Sequence, residues 1–204
     1  MEKEYLNELL LSEAPGPAIT FSVFDLIKAL ELIHEKGYVG RGKLSDEMKI
    51  GEGAIRTLIK RLKNSSLLKS SKYGCSLTKK GNDLWERITL KMPRKARLSD
   101  SELKISQFNI AVLLKHASKG LGDGMVQRDA AIRAGADGAV TIICENGKLV
   151  IPGIISDVSK SYPVLYSQLI QVLAPKDGDV IIVGNGGDLK SAEYGALAAS
   201  LTLI

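Results

Sequence analysis

Arg56, Thr57, Lys60, Arg61 and Lys63 are five hydrogen-bond donors within eight residues, and their spacing could put them to work on an anion. They interleave with Ile55, Leu58, Ile59 and Leu62, an i, i+3, i+4, i+7 pattern that predicts one apolar stripe on a helix over residues 54–64. With the stripe turned inward, the other side carries four cations and no acid after Glu52. A merely solvated helix usually mixes its charges, because opposite signs four residues apart stabilise it. A one-signed face fits a polyanion better than it fits water alone.

The elements that must position this face lie on either side of it. Residues 43–50 form a short amphipathic segment with Leu44 and Met48 on one side, and Gly51-Glu52-Gly53 is read as the break after it. Beyond the basic helix, residues 67–69 and 75–77 flank Ser70-Ser71-Lys72-Tyr73-Gly74, a turn-rich tip suited to a two-stranded hairpin. Helix, tight turn, helix and hairpin is the layout of a winged helix-turn-helix, whose second helix enters the major groove while the hairpin touches the flanking backbone. The stretches RGKLSDEMKIGEGAIRTLIKRLKNSSLL and YGCSLTKKG resemble the DNA-binding domain of small bacterial and archaeal regulators. On this reading Arg56, Thr57, Lys60 and Arg61 meet base edges or groove phosphates. Lys69, Lys72, Tyr73, Lys79 and Lys80 meet the backbone, with Lys43 added from the preceding helix.

Charge is distributed in the same sense. The net +5 of the 204 residues splits into +7 over residues 1–98 (19 basic, 12 acidic) and −2 over residues 99–204 (9 basic, 11 acidic). Residues 41–97 alone carry 16 basic and 5 acidic side chains, a net +11. Basic charge gathered on one region is the footprint of a polyanion partner. Hydrophobic content of 45% and charged content of 25% are those of a soluble globular protein. No apolar run has spanning length and no signal peptide is evident, so a cytoplasmic protein without membrane contact is expected. Cys75 and Cys144 lie far apart without a CxxC and read as free thiols; no cofactor and no metal site are expected.

The pattern predicts three regions: an N-terminal domain over 1–91, a basic linker over 92–104, and an α+β domain over 105–204. The first begins with a helix over 1–14 whose Tyr5, Leu6, Leu9 and Leu10 either cover their own domain or meet a second chain; Pro15-Gly16-Pro17 ends it. A long helix over 20–36 follows, capped by Thr20 or Ser22, with His34 near its end as a surface residue. A further helix over 78–90 turns Leu84, Trp85 and Ile88 inward. Arg94-Lys95-Ala96-Arg97 then reads as a solvated connection or a phosphate grip.

In the C-terminal region the order is strand (107–115), helix (126–133), a hairpin of two strands around Asn146-Gly147, helix (161–173), strand (179–183) and helix (189–201). This is the split βαβ order of ferredoxin-like domains with one extra helix. The GNGGD segment, Gly184, Asn185, Gly186, Gly187 and Asp188, is read as a turn between strand and helix. It could offer backbone N–H groups to an anion, or be plain structure with Asp188 as a cap. It matches neither GxGxxG nor the P-loop. Arg128, below the GLGDG loop of residues 120–124, could hold a carboxylate or phosphate or enter an internal salt bridge. His116 and the scattered aspartates form no ligand set, and no catalytic constellation is present in the sequence.

The phrases QRDAAIRAGADGAVTIICENGKLVIPG and GDVIIVGNGGDLKSAEYGALAA resemble a family of uncharacterised archaeal proteins that join a winged helix to a C-terminal domain of unknown function. What this resemblance implies is an archaeal transcription regulator. The expectation is a reader of double-stranded DNA whose second domain forms a homodimer or senses a small effector. The alternatives are an enzyme acting on a nucleotide or phosphometabolite through the glycine-rich loops, and a protein–protein adaptor.

Overall fold

The computed structural model describes residues 2–10, 20–102 and 106–204, and divides into two compact units, residues 1–88 and 89–204. The first unit contains α1 (Glu2–Glu8), α2 (Val23–Lys36), α3 (Arg41–Met48), α4 (Glu52–Asn64), the hairpin β1 (Leu68–Ser71) and β2 (Gly74–Leu77), and most of α5 (Lys79–Lys91). Each helix buries one stripe, and the stripes meet in one core: Leu26, Leu30 and Ile33 of α2, Leu44 of α3, Ile55, Leu58 and Leu62 of α4, and Leu84 of α5 are all fully buried. Of the two expected caps for α2, Ser22 is the one used. Its hydroxyl accepts from the Asp25 N–H, and the Asp25 carboxylate accepts from the Ser22 N–H in return, a reciprocal box that satisfies two otherwise orphaned donors.

The turn between α3 and α4 lies earlier than Gly51-Glu52-Gly53. Lys49 takes the left-handed conformation that ends α3 (φ 52°), the Ser45 hydroxyl donates to the Ile50 carbonyl, and Gly51 is already the N-cap of α4. Glu52 and Gly53 belong to the helix, where an acid in the first turn suits the positive helix end. Helix α1 buries Leu6 and packs on α2, and Leu9, just after it, is buried too. The expected helix breaker at residues 15–17 lies outside the described residues.

The second unit is built on one five-stranded antiparallel sheet. Its strands are β3 (Arg94–Leu98), β4 (Phe108–Leu114), β5 (Gly138–Glu145), β6 (Lys148–Val150) and β7 (Val180–Gly186), in the order β3-β4-β7-β5-β6. Helices α6 (Met125–Arg133) and α9 (Leu189–Ser200) cover one face. The short α7 (Val158–Ser161) and α8 (Pro163–Leu173) cover the other, where Val158, Leu165, Leu169 and Leu173 meet Leu113, Ile142, Ile181 and Val183. No helix among the described residues is long and apolar enough to cross a membrane.

Two expectations are corrected here. In a ferredoxin-like sheet the third strand, the hairpin partner of the second, is inserted between the parallel pair. Here β4 and β5 run parallel, but the strand between them is the last, β7. The reason is burial: all seven residues of β7 are buried and need cover on both faces, whereas three-residue β6 is half exposed and suits an edge. The supposed linker over 92–104 contains β3, paired with β4 from Arg94↔Leu113 to Leu98↔Asn109. Leu98 and Ala96 turn to the α8 side, while Lys95 pairs with Glu193 and the Arg97 guanidinium lies 5.3 Å from the Phe108 ring centre. Of the cations read as a possible phosphate grip, Lys95 and Arg97 thus face partners within their own unit, while Arg94 is exposed. Residues 103–105, at the end of that expected linker, lie outside the described residues.

Candidate nucleic-acid interface

Helix α4 is amphipathic to a degree that fixes its orientation. With Ile55, Leu58 and Leu62 at zero exposure, Arg56, Thr57, Lys60, Lys63 and Asn64 are turned to solvent along a helix about 20 Å long. Arg56, Lys60 and Lys63 form no ion pair among the described residues. Glu52, the helix's acid, lies at its N-terminal end with a carboxylate oxygen 3.6 Å from Arg41 Nε. Thr57 donates its hydroxyl to the Gly53 carbonyl at 3.1 Å, which leaves its oxygen lone pairs and its methyl on the open face. Lys43 is exposed on α3.

Two of the expected contacts are turned elsewhere. An Arg61 guanidinium nitrogen donates to the Leu9 carbonyl at 3.0 Å, and the group lies 5.8 Å from the Phe21 ring centre. Arg61 therefore ties α4 to the segment after α1 and is not available at a groove. Lys80 donates to the Ser65 carbonyl at 3.0 Å and lies 5.6 Å from the Tyr5 ring centre, so it closes the end of α4 against α5. Lys79 stays exposed beside it.

The hairpin tip is ordered by its own hydroxyls. Ser71 Oγ accepts from the Tyr73 N–H at 3.1 Å, and Val39 bridges to Cys75 as a short third strand. Lys69, Lys72 and Tyr73 are exposed, with Lys72 Nζ 5.0 Å from the Tyr73 ring centre. Tyr38, which the sequence reading passed over, stands edge-on to Tyr73 at 6.2 Å between ring centres. It lines a groove with Ile33, His34, Lys69, Leu77 and Asn82. Its sequence signal is a tyrosine directly after the Gly37 helix stop.

In the second unit the residues expected to hold an anion are placed otherwise. Gly184, Asn185 and Gly186 are not a turn but the end of β7. A Cβ on Gly184 would stand 2.4 Å from the Ala192 carbonyl oxygen and the Ala196 nitrogen, and one on Gly186 would stand 2.6 Å from the Ala192 nitrogen. These glycines let α9 lie directly on the strand, and no space remains there for a ligand. Asn185 is fully buried and donates its amide to Asn109 at 2.6 Å. Asp188 caps α9, accepting from the Ser191 N–H at 2.8 Å, so the carboxylate already occupies the positive helix end. Gly187 is exposed at the actual turn. Arg128 is exposed on α6, with a guanidinium nitrogen 3.9 Å from the Met125 sulfur and no carboxylate partner among the described residues.

One polar cluster in this unit was not foreseen. Buried Asp179 accepts from Lys115 Nζ at 2.5 Å, from the Lys176 N–H at 2.9 Å and from the His116 N–H at 3.1 Å. Burial pushes its carboxyl up, but these donors outweigh burial and hold it below the ordinary aspartate value. Nearby, burial and then the Asp177 carboxylate push the Cys144 thiol up to about 11. A nucleophilic cysteine needs the opposite, a thiol whose proton leaves readily. The cluster fastens the ends of β4 and β7.

Comparisons with known proteins agree with a two-part chain. Residues 23–83 match the family described as PH0730-like, N-terminal domain, and residues 105–203 match the family described as Domain of unknown function (DUF4443). No curated protein matches the chain. Among solved structures, the hypothetical protein PH0730 from Pyrococcus horikoshii OT3 is similar, with 22% identity, a TM-score of 0.72, and coverage of 90% of this chain and 92% of that one. In its fold, and in the two families its halves match, the chain is similar to an archaeal protein family of unknown function.

Proposed function

We propose that the chain is a DNA-binding transcription regulator whose residues 20–91 form a winged helix-turn-helix. In this reading α3 and α4 are the helix-turn-helix pair, α4 enters the major groove, and the β1–β2 hairpin is the wing. The observation that carries it is the outer face of α4: Arg56, Thr57, Lys60 and Lys63 all point to solvent, without a carboxylate partner among the described residues, beside a hairpin tip bearing Lys69 and Lys72. Cations left unneutralised by their own protein suit phosphates, and an arginine on a groove-entering helix suits the guanine edge. Arg56, Thr57 and Lys60 are the base-edge or groove-phosphate contacts. Lys43, Lys69, Lys72, Tyr73 and Lys79 are the backbone contacts. The second unit serves homodimerisation or effector sensing, as expected for a reader that spans two half-sites one helical turn apart.

Selection of bound sequences from random duplex DNA, at two salt concentrations, tests this reading. An enriched motif whose affinity falls steeply with salt is expected. Absence of both an enriched motif and any salt-dependent duplex binding would overturn it.

A further inference from the structure

We propose that the groove beside Tyr38 receives one unpaired nucleobase, so that the first unit recognises a strand end or unpaired nucleotide next to the duplex. The proposal rests on the DNA-binding reading above and adds a second site to it. The groove is open to solvent and has a volume of about 160 Å³. That is well below the roughly 300–1,000 Å³ of sites for drug-sized ligands, and it suits one ring rather than a whole cofactor. Its chemistry fits a base and its phosphate. Tyr38 offers a ring that is 53% exposed, and edge-on contact with Tyr73, itself 68% exposed, holds that ring in place. Leu77 gives the floor a little apolar surface, backed by fully buried Ile33.

Polar groups line the same groove. Asn82 Oδ1 and His34 Nδ1 lie 3.4 Å apart, and the Asn82 amide nitrogen has no partner among the described residues, so a donor remains for a base edge. Lys69 stands at the groove with no ion pair among the described residues, as a phosphate contact would require. Among the described residues, no carboxylate lines the groove. Two exposed tyrosines beside lysines have no role in the core of this unit. A base stacked on an aromatic ring in a cationic groove is the general solution for binding single strands.

The experiment measures affinity of the full chain for a blunt duplex carrying the selected motif, the same duplex with a three-nucleotide overhang, the overhang sequence alone as a single strand, and dAMP. Wild type should bind the overhang duplex about tenfold more tightly than the blunt one, the size expected of one stacked base. Tyr38→Ala should abolish that preference while leaving blunt-duplex affinity unchanged, and Tyr38→Phe, which keeps the ring, should retain it. Equal affinity of wild type for blunt and overhang duplexes would overturn this site and leave the duplex reading standing. Tyr38-dependent binding of the single strand without duplex binding would overturn both the duplex reading and the strand-end assignment, in favour of a single-strand site at Tyr38. Tyr38-dependent binding of dAMP as tight as that of the overhang would overturn the strand-end assignment in favour of a free nucleotide.

Discussion

Helices α4 and α9 are nearly equal in length, 13 and 12 residues, and each follows a glycine-containing turn, yet they meet their surroundings in opposite ways. α4 buries three residues, half-buries Ala54, Ile59 and Arg61, and presents the remaining seven to water. α9 buries eight, most of them alanine or glycine, because it lies against β7 on one side and α6 on another. Long apolar side chains on one stripe hold α4 at a distance that leaves its outer face free. Small residues draw α9 so close to the strand that its surroundings exclude a ligand. A cationic segment and a glycine-rich segment both suggest an anion site in sequence, but only the first keeps its candidate atoms at the surface.

The comparison can be broken most severely from the inner side of α4. Leu58 is fully buried, and Leu58→Ala should cost about 2–5 kcal/mol, from lost transfer energy and the cavity left behind. Urea unfolding should show that loss in the midpoint, and a change below 1 kcal/mol would contradict the packing described for this helix. Next, Gly184→Ala should destabilise the second unit by roughly 1–3 kcal/mol, because the added methyl meets backbone atoms of α9 that cannot rotate away. If Gly184 instead served a ligand, the same variant would retain its melting temperature and lose binding.

Part of this contrast was legible in the sequence and part was not. The stripe of Ile55, Leu58 and Leu62 announced α4, because side-chain periodicity survives in the residue order. β7 was cut short at Val183, because Gly184-Asn185-Gly186 reads as a turn until α9 is known to lie on top of it. β3 was missed because its inward pair, Ala96 and Leu98, is hidden among Arg94, Lys95 and Arg97. Arg61 and Lys80 were identified as cations, but their acceptors are the main-chain carbonyls of Leu9 and Ser65, which leave no trace in residue type. The groove at Tyr38 draws on α2, the hairpin and α5, segments that only the fold brings together.

The outer face yields smaller and more selective effects. Arg56→Ala should cost about 1–3 kcal/mol on the selected sequence and relax preference at one base pair, while non-specific binding changes little. Repeating the random-duplex selection with the variant measures this, and an unaltered motif would remove Arg56 from the base edges. Lys72→Ala should weaken binding about equally on all sequences and flatten the slope of log affinity against log salt by roughly one unit. A slope equal to that of wild type would place the hairpin outside the interface.

The mildest effect belongs to the second unit and tests whether its carboxylates are structural. Glu102 accepts from the Val164 N–H at 2.9 Å and the Leu165 N–H at 3.2 Å, at the start of α8. Chiefly through the Val164 N–H, this holds its carboxyl below the ordinary glutamate value. A carboxyl depressed in the folded state stabilises that state fully above its unfolded value, and the contribution fades as pH falls through the folded value. Melting temperature should therefore drop in wild type as pH is lowered from about 5 towards 3, around and below the unfolded glutamate value of roughly 4.3. Glu102→Gln should melt lower at pH 7 and lose part of that pH dependence, so the two proteins converge in acid. Parallel curves would show that the Glu102 charge does not stabilise α8, and the ion-free cap that a glutamine supplies would then suffice for this helix.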